Sequence, residues 1–468
     1  MTPAQIVGEH HCINELIPVD ILMLVSITRP PGPKGRFLVG NFPLASPDPL
    51  GLYTEWARKF GDIFYYRSGP RQVYFLNHPD FVEEMLVLQA KHFSKDWVLR
   101  NARWLFGNGL LTAEGDEWKR QRHFAQPIFH HERIMSYAAT MTAYTEQAVA
   151  RWQVDEIRSI HKDMMDLTLR IAAKTLLGID LRDETGTYRN SLNEIAKSVS
   201  GNQMLFPAFL RFLPLPSLLR SRRTVAQFDA LIQKLISQRR KNSKNGVDLL
   251  SMLLESHDED GNGMMEDQVR DEVITFLIAG HGTTAMSLSW TWYLLSQNQV
   301  AEKRLHDELK SILGGKTPSF EDVQSLKYTA KVIRESMRLY PPVWAFGRTA
   351  ATQDCMIGGY SIPKGAEVFA CQWTVHRDSR FYDYPDLFDP DRWDSERTHS
   401  LPKFAYFPFG GGARMCIGAS FATMEAILVL ATIAQKFRLR LVPGHPVAPV
   451  PGLTLVPKYG MKMKVEVA

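Results

Sequence analysis

The stretch Pro408-Phe409-Gly410-Gly411-Gly412-Ala413-Arg414-Met415-Cys416-Ile417-Gly418 constrains this chain more than any other. Three consecutive glycines permit backbone shapes and close approaches that side chains block, which suits a large flat ligand lying against the main chain. The following run, Ala419 to Leu430, is rich in helix formers. It places Cys416 at or just before a helix N-terminus, where the positive end of the dipole favours a thiolate. Arg414, two residues earlier, offers a charge partner for an anionic group. Taken alone, these features fit either a thiolate that ligates a metal or a Gly-rich turn around a buried free cysteine.

The fuller pattern of Phe409, Gly412, Arg414, Cys416 and Gly418 resembles the haem-binding signature of the cytochrome P450 family. The resemblance implies haem b (iron protoporphyrin IX) with Cys416 as the iron ligand, Phe409 packed beside the sulfur, and backbone N–H groups donating to it. Gly418 would belong to the same cofactor-binding turn, and Arg414 would meet a propionate. Thiolate donation to iron favours O–O cleavage.

At 468 residues, with 45% hydrophobic and 22% charged residues, the chain can bury a sizeable core. It has no repeat, long polar linker or low-complexity tract, so residues 29–468 are expected to form a single haem-thiolate catalytic domain. A net charge of +5 is small for this length and argues against nucleic acid as the main partner. Cys12, Cys355, Cys371 and Cys416 form no CxxC pair, which speaks against a disulfide framework or zinc site and fits a reducing compartment. The apolar run Leu16 to Ile27 is interrupted by Pro18 and Asp20 and falls short of the ~20 residues a bilayer span needs. Nor does it carry the flanks of a cleaved signal. Residues 1–28 are expected to be a loosely packed arm, and the protein a cytoplasmic monomer, with peripheral contact to a membrane left open.

Pro30 to Gly35 resembles the proline-rich approach that precedes the catalytic domain in many family members. Ile63–Tyr66 and Gln72–Leu76, joined through Ser68-Gly69-Pro70-Arg71, predict a β-hairpin within a small sheet. From Asp80 to about Tyr340 the pattern is mainly helical, and Cys355–Ile362 with Ala366–Phe369 predicts paired strands that complete the sheet. The fold class is therefore mainly α with minor β. The resemblance places the haem between a long central oxygen-side helix and the cysteine-side helix. Polar turns at 243–246 and 257–263 are expected to be surface loops.

Trp118 and Arg122 are four residues apart and so share a helix face. They resemble the family's propionate-binding WxxxR, although an amphipathic helix with one Trp and several basic residues would look the same. Lys119 and Arg120 face elsewhere, as a basic docking surface or as solvated charges. A long helix from Glu266 to about Ser296 carries Ala279-Gly280-His281-Gly282-Thr283-Thr284 at its middle. Two interior glycines cost about 1 kcal/mol each relative to alanine, which calls either for a local widening or for a close helix–helix contact. The segment resembles the family's oxygen-activating motif, with Thr283 as the threonine that supports proton delivery. Gly282 departs from the motif, because most members carry Asp or Glu there and glycine can hold no proton.

Glu335 and Arg338 lie one turn apart on a helix ended by Pro341-Pro342 and match the family's ExxR core, with Arg392 as third member of a buried network. Arg348 matches a propionate-contacting position. His376 is expected to be structural rather than a haem ligand. The substrate pocket is expected to draw on Trp97, Phe206, Phe276, Val343, Trp344, Phe346 and Leu453. The proline-broken apolar stretch 204–216 fits either a cap over the substrate channel or a buried connection.

These five motifs fall in family order across roughly three hundred residues. They imply a monooxygenase inserting one atom of O2 into an apolar substrate, with a fatty acid as first expectation and terpenoids or steroids behind it. Electrons would come from NAD(P)H through a separate ferredoxin or flavin reductase. Two alternatives stand beside this reading: a peroxide-driven peroxygenase, because Gly282 replaces the acid, and a non-catalytic haem-binding sensor or carrier.

Overall fold

The computed structural model describes residues 29–36, 39–181, 216–241, 248–258, 261–394, 396 and 400–468. Residues 1–28, Phe206 and most of the 204–216 stretch, and the turn at 243–246 lie outside the described residues. The principal helices are α1 (Pro49–Phe60), α2 (Gly115–Ala125), α3 (His131–Val149), α4 (Ile160–Leu177) and α5 (Pro216–Lys241). They continue with α6 (Glu266–Gln297), α7 (Gln299–Leu313), α8 (Lys327–Leu339) and α9 (Ala419–Ala434). The strands are β1 (Ile63–Ser68), β2 (Arg71–Leu76), β3 (Phe93–Lys95), β4 (Ile157–Ser159), β5 (Phe346–Ala350), β6 (Cys355–Ile357) and β7 (Tyr360–Ile362). β8 (Glu367–Ala370), β9 (Phe437–Leu441), β10 (Pro449–Pro451), β11 (Leu455–Pro457) and β12 (Lys462–Val467) follow. Mainly α with minor β is thus the observed class.

Helix α6 is apolar nearly all round its second half, so it can only be satisfied inside the core. It crosses α4, to which it is tied by Thr168 Oγ1 donating to the His281 carbonyl at 3.0 Å. Helix α9 is likewise buried from Met424 to Ala434 and packs on α3, where Tyr137 meets Phe421 edge to face. One hydrophobic core joins α3, α4, α6, α7, α8 and α9. Helix α8 stops at Leu339, as Pro341-Pro342 requires.

The predicted hairpin forms with Ser68 opposite Arg71, and Gly69 takes φ +59° in the two-residue turn. It is one side of a five-stranded sheet of order β1-β2-β8-β5-β3, in which β2 and β8 run parallel. The expectation for residues 355–369 needs correction. β6 and β7 pair only with each other, as a separate hairpin, while β8 alone joins the main sheet. Buried strand residues decide this, because Val368 and Ala370 are fully covered between β2 and β5 and Met356 of β6 is exposed. The helical reading of 80–340 is also interrupted, by the short strands β3 and β4.

Glu335, Arg338 and Arg392 form the expected buried network. Arg338 grips Glu335 through two bonds of 2.8 and 2.9 Å, and Arg392 Nε donates to the same carboxylate at 2.8 Å. Trp393 Nε1 (3.0 Å) and the Asp389 N–H (3.1 Å) complete it. The guanidinium of Arg338 also donates to the carbonyls of His376, Pro385 and Leu387, so the network pins the irregular chain that leads to Cys416. His376 continues the path. Its Nε2 accepts from the Phe407 N–H at 3.0 Å, and Gln372 donates to the Phe407 carbonyl at 2.7 Å. Burial, with Arg338 and Arg377 close by, pushes the His376 pKa well below its ordinary value, so the ring is the neutral acceptor this role needs. Among the described residues no helix is long and apolar enough to cross a membrane.

Candidate active site

A cavity of about 1630 Å³ lies between α6 and the Cys416 loop. Ligand pockets usually measure about 300–1,000 Å³, so this one has room for a large cofactor and a substrate together. Ala279, Gly282 and Thr283 line it from α6, and Phe409, Arg414, Cys416 and Gly418 line it from the loop before α9. Trp118, Arg122 and Arg348 close one end. Trp97, Phe276, Val343, Trp344, Phe346 and Leu453 supply apolar wall, so every predicted pocket residue within the described chain reaches the cavity.

The Cys416 loop is shaped differently from the expectation. Only Gly410 of the three consecutive glycines faces the cavity. A Cβ on Gly411 would lie 2.3 Å from Phe404, and one on Gly412, at φ +67°, would lie 2.1 Å from the Leu86 carbonyl. These glycines serve the packing of the loop onto its own protein rather than a ligand's approach. The Cys416 N–H donates to the Phe409 carbonyl at 3.0 Å, folding the loop so that the thiol reaches the cavity. Helix α9 begins at Ala419, beyond Gly418, so Cys416 stands ahead of its first turn. The thiol stands open to the cavity, yet desolvation by the protein packed around it pushes its pKa up against the Gly418 N–H and the Arg122 guanidinium, which favour the thiolate. A bound metal cation, not the loop alone, would deprotonate it.

Cations gather at one end of the cavity. Arg122 donates to the Met415 carbonyl at 3.1 Å, and the Arg414 guanidinium lies 4.9 Å from the Trp118 ring centre. Arg414 pairs with Glu114 through Nη2, while its Nη1 is buried with no partner. Arg348 donates to the Gly347 carbonyl at 2.8 Å; burial and the nearby Arg414 lower its pKa to about 10. Sequence reasoning missed a fourth cation, Lys95. It is only 5% exposed, donates to the Leu110 carbonyl at 2.6 Å, and has its pKa lowered to about 7 by burial and then by Arg414. No spacing announces Lys95, because β3 reaches this site only by pairing with β5, which puts Lys95 opposite Arg348. Four basic groups thus face three neighbouring carboxyl groups, Glu114, Asp96 and Glu272, the last with its pKa raised to about 8 by burial. The surplus and the orphaned Arg414 N–H fit the two propionates of a haem, and Cys416 across the cavity fits its iron.

On the opposite wall Thr283 Oγ1 donates to the Ala279 carbonyl, one turn earlier, at 2.8 Å. Its oxygen lone pairs remain free to accept from a molecule in the cavity. The predicted widening of the helix is absent, since α6 stays α-helical throughout. Space comes from Gly282 instead, where an added Cβ would meet nothing within 4 Å, while Gly280 approaches Leu176 of α4. Of the two residues offered as a basic docking surface or solvated charges, Lys119 stays exposed and Arg120 turns inward. Lys119 pairs with Asp116, and Arg120 pairs with Asp258 at 3.0 Å and donates to the Gly263 carbonyl.

Comparison with known proteins agrees with this arrangement. The family profile "Cytochrome P450" matches residues 30–465. "Cyclooctatin synthase" of Streptomyces melanosporofaciens is 36% identical over 427 residues, covering 90% of this chain and 92% of that protein. "Cyclooctat-9-en-7-ol 5-monooxygenase" of the same organism is 36% identical, covering 82% and 84%. "Pentalenene oxygenase" of Streptomyces avermitilis is 35% identical, covering 83% and 87%. The heme domain of cytochrome P450DA superposes with a TM-score of 0.85 at 27% identity, covering 94% of this chain and 98% of that one. These relatives give the fatty-acid expectation no support. With a thiol, a cation cluster and a threonine-bearing helix converging on one cavity, and with this match over nearly its whole length, the chain belongs to the cytochrome P450 family and is a monooxygenase.

Proposed function

We propose that residues 29–468 form one catalytic domain that holds haem b through Cys416 and hydroxylates a compact terpenoid-like substrate. Electrons come from NAD(P)H through a separate ferredoxin or flavin reductase. The observation that carries the reading is the cavity itself, with Cys416, the orphaned Arg414 N–H and the Thr283 hydroxyl on three of its sides. When bound, the haem supplies the oxygen-transfer chemistry, its thiolate ligand favouring O–O cleavage. The chain's own residues do the rest. Lys95, Arg122, Arg348, Arg414 and the Trp118 indole hold and orient the cofactor's carboxylates. Phe276, Val343, Trp344, Phe346 and Leu453 exclude water and receive the apolar substrate. Thr283 would accept a hydrogen bond from water or oxygen in the cavity and orient a proton.

Terpenoids replace fatty acids as the preferred substrates because relatives covering more than four-fifths of the chain are named for pentalenene and a cyclooctatenol. The test is a spectral titration of the haem-loaded protein with cyclic terpene hydrocarbons and alcohols beside saturated fatty acids. Reductase-driven turnover and product mass analysis follow. Displacement of the iron-bound water by terpenes, with a product heavier by one oxygen atom, is expected. Spectral response and oxygenation confined to fatty acids would reverse the substrate assignment.

A further inference from the structure

Two phenols meet on a wall of the cavity that the cofactor-binding residues leave unused. Tyr53 stands on α1 and Tyr66 on β1, and the packing of α1 on the hairpin sets their hydroxyls 3.0 Å apart. Both are buried, at 3% and 5% exposed, and both line the cavity. Aromatic rings hold them in place: Tyr53 stacks on Phe75 with ring centres 4.6 Å apart and lies 5.4 Å from Trp344, while Trp56 and Phe64 cover Tyr66. The Trp344 indole N–H is already used, donating to the Gly452 carbonyl at 2.9 Å.

The hydrogen-bond count of the pair does not close. Each phenol carries one donor, and the bond between the two uses only one of them. Among the described residues no other hydrogen bond engages either hydroxyl, so the second O–H lacks an acceptor. Burial raises the pKa of both phenols, so neither sheds that proton. A buried donor without an acceptor is costly, and phenylalanine at either position would fill nearly the same space without the cost. Water can serve the free O–H while the cavity holds no ligand. A substrate that expels this water must bring an oxygen of its own or lose affinity.

We propose that the Tyr53–Tyr66 pair is the subsite for an oxygen atom already present on the substrate, a hydroxyl or a carbonyl. This deepens the terpenoid reading above and rests on it. The apolar ring system packs against Trp344, and the pair donates its free O–H to the substrate oxygen. A hydroxyl fits best, because it accepts that proton and offers its own to the lone pairs the phenols have left. The protein then adds a second oxygen to a molecule that carries one. The reaction supplying its substrate is accordingly an earlier oxygenation or a cyclisation ended by capture of water.

The experiment is a spectral titration of haem-loaded parent, Tyr53→Phe, Tyr66→Phe and the double variant with matched ligands. These are a cyclic terpene hydrocarbon beside its alcohol, and a linear alkane beside its alcohol and acid. The quantity read is the ratio of dissociation constants within a pair, in which effects of cavity packing cancel. The preference for the terpene alcohol over its hydrocarbon is expected to be about tenfold greater in the parent than in the double variant, the weight of one hydrogen bond. One single variant should lose the preference and the other keep it, because the phenol facing the ligand needs only its own proton. A merely structural pair would move both constants alike and leave the ratio where it was. An equal ratio in parent and double variant overturns the proposal. So does a preference for acid over alcohol that survives in the double variant, which would give polar recognition to Arg71, the cavity-lining cation 4.1 Å over the Trp97 ring. If the ratio behaves as expected in the linear series alone, the subsite stands and the terpenoid reading falls. Should the double variant not fold, the single variants decide, and the proposal fails if both keep the parent ratio.

Discussion

Replacing Glu335 by glutamine should cost the protein about 3–5 kcal/mol of stability. Glu335 and Arg338 are both fully buried, and one carboxylate takes two bonds from Arg338, one from Arg392, one from the Trp393 indole and one from the Asp389 N–H. Glutamine keeps the shape but removes the charge, and it turns an NH2 toward groups that only donate. Two guanidinium groups are then left among carbonyls: Arg338 keeps those of His376, Pro385 and Leu387, and Arg392 keeps those of Asp383, Tyr384 and Leu387. Breaking a buried ion pair from one side costs about 3–5 kcal/mol, more than a hundredfold in the folding equilibrium. The assay is urea unfolding of haem-loaded parent and variant, followed by far-ultraviolet circular dichroism and by haem absorbance. Haem release should precede loss of helix in the variant, because Arg338 and His376 together hold the chain entering the Cys416 loop. A stability difference below about 1 kcal/mol, the value of an exposed pair, would refute the reasoning.

Cys416→Ala should remove the thiolate-type spectrum of the reduced carbon monoxide complex, as read by difference spectroscopy. Thr283→Ala should leave haem content intact and lower the product formed per NADPH, because it deletes the hydroxyl that Ala279 holds at the cavity wall. Lys95→Met should speed haem transfer to apomyoglobin by about tenfold or more, the weight of one charge-assisted hydrogen bond of about 1.5–3 kcal/mol. His376, held neutral in the folded protein, titrates near 6.5 only when unfolded. Its contribution to stability is therefore complete above that pH and declines as pH falls, since the unfolded chain then binds a proton that the folded one excludes. His376→Gln should flatten this acid limb of the stability curve by up to about 1.4 kcal/mol per pH unit, measured by urea unfolding at a series of pH values.

The chemistry-bearing residues were legible because each is announced by local spacing: the Gly-rich loop with Cys416, the ExxR of Glu335 and Arg338, the WxxxR of Trp118 and Arg122, and the glycine-flanked Thr283. The same patterns fixed the long central helix, whose predicted span of Glu266 to about Ser296 compares with the observed Glu266–Gln297. What local spacing could not carry was everything that depends on which distant segments meet. Lys95 joins the cation cluster only because β3 pairs with β5, more than two hundred residues later. Gly411 and Gly412 look like a cradle in sequence, and only the positions of Phe404 and Leu86 reveal that they accommodate the protein itself. Arg120 looks like a free surface cation until Asp258 and the Gly263 carbonyl come to meet it. The surroundings of Cys416 follow the same logic, because the Arg122 guanidinium that favours its thiolate is supplied by a helix almost three hundred residues earlier.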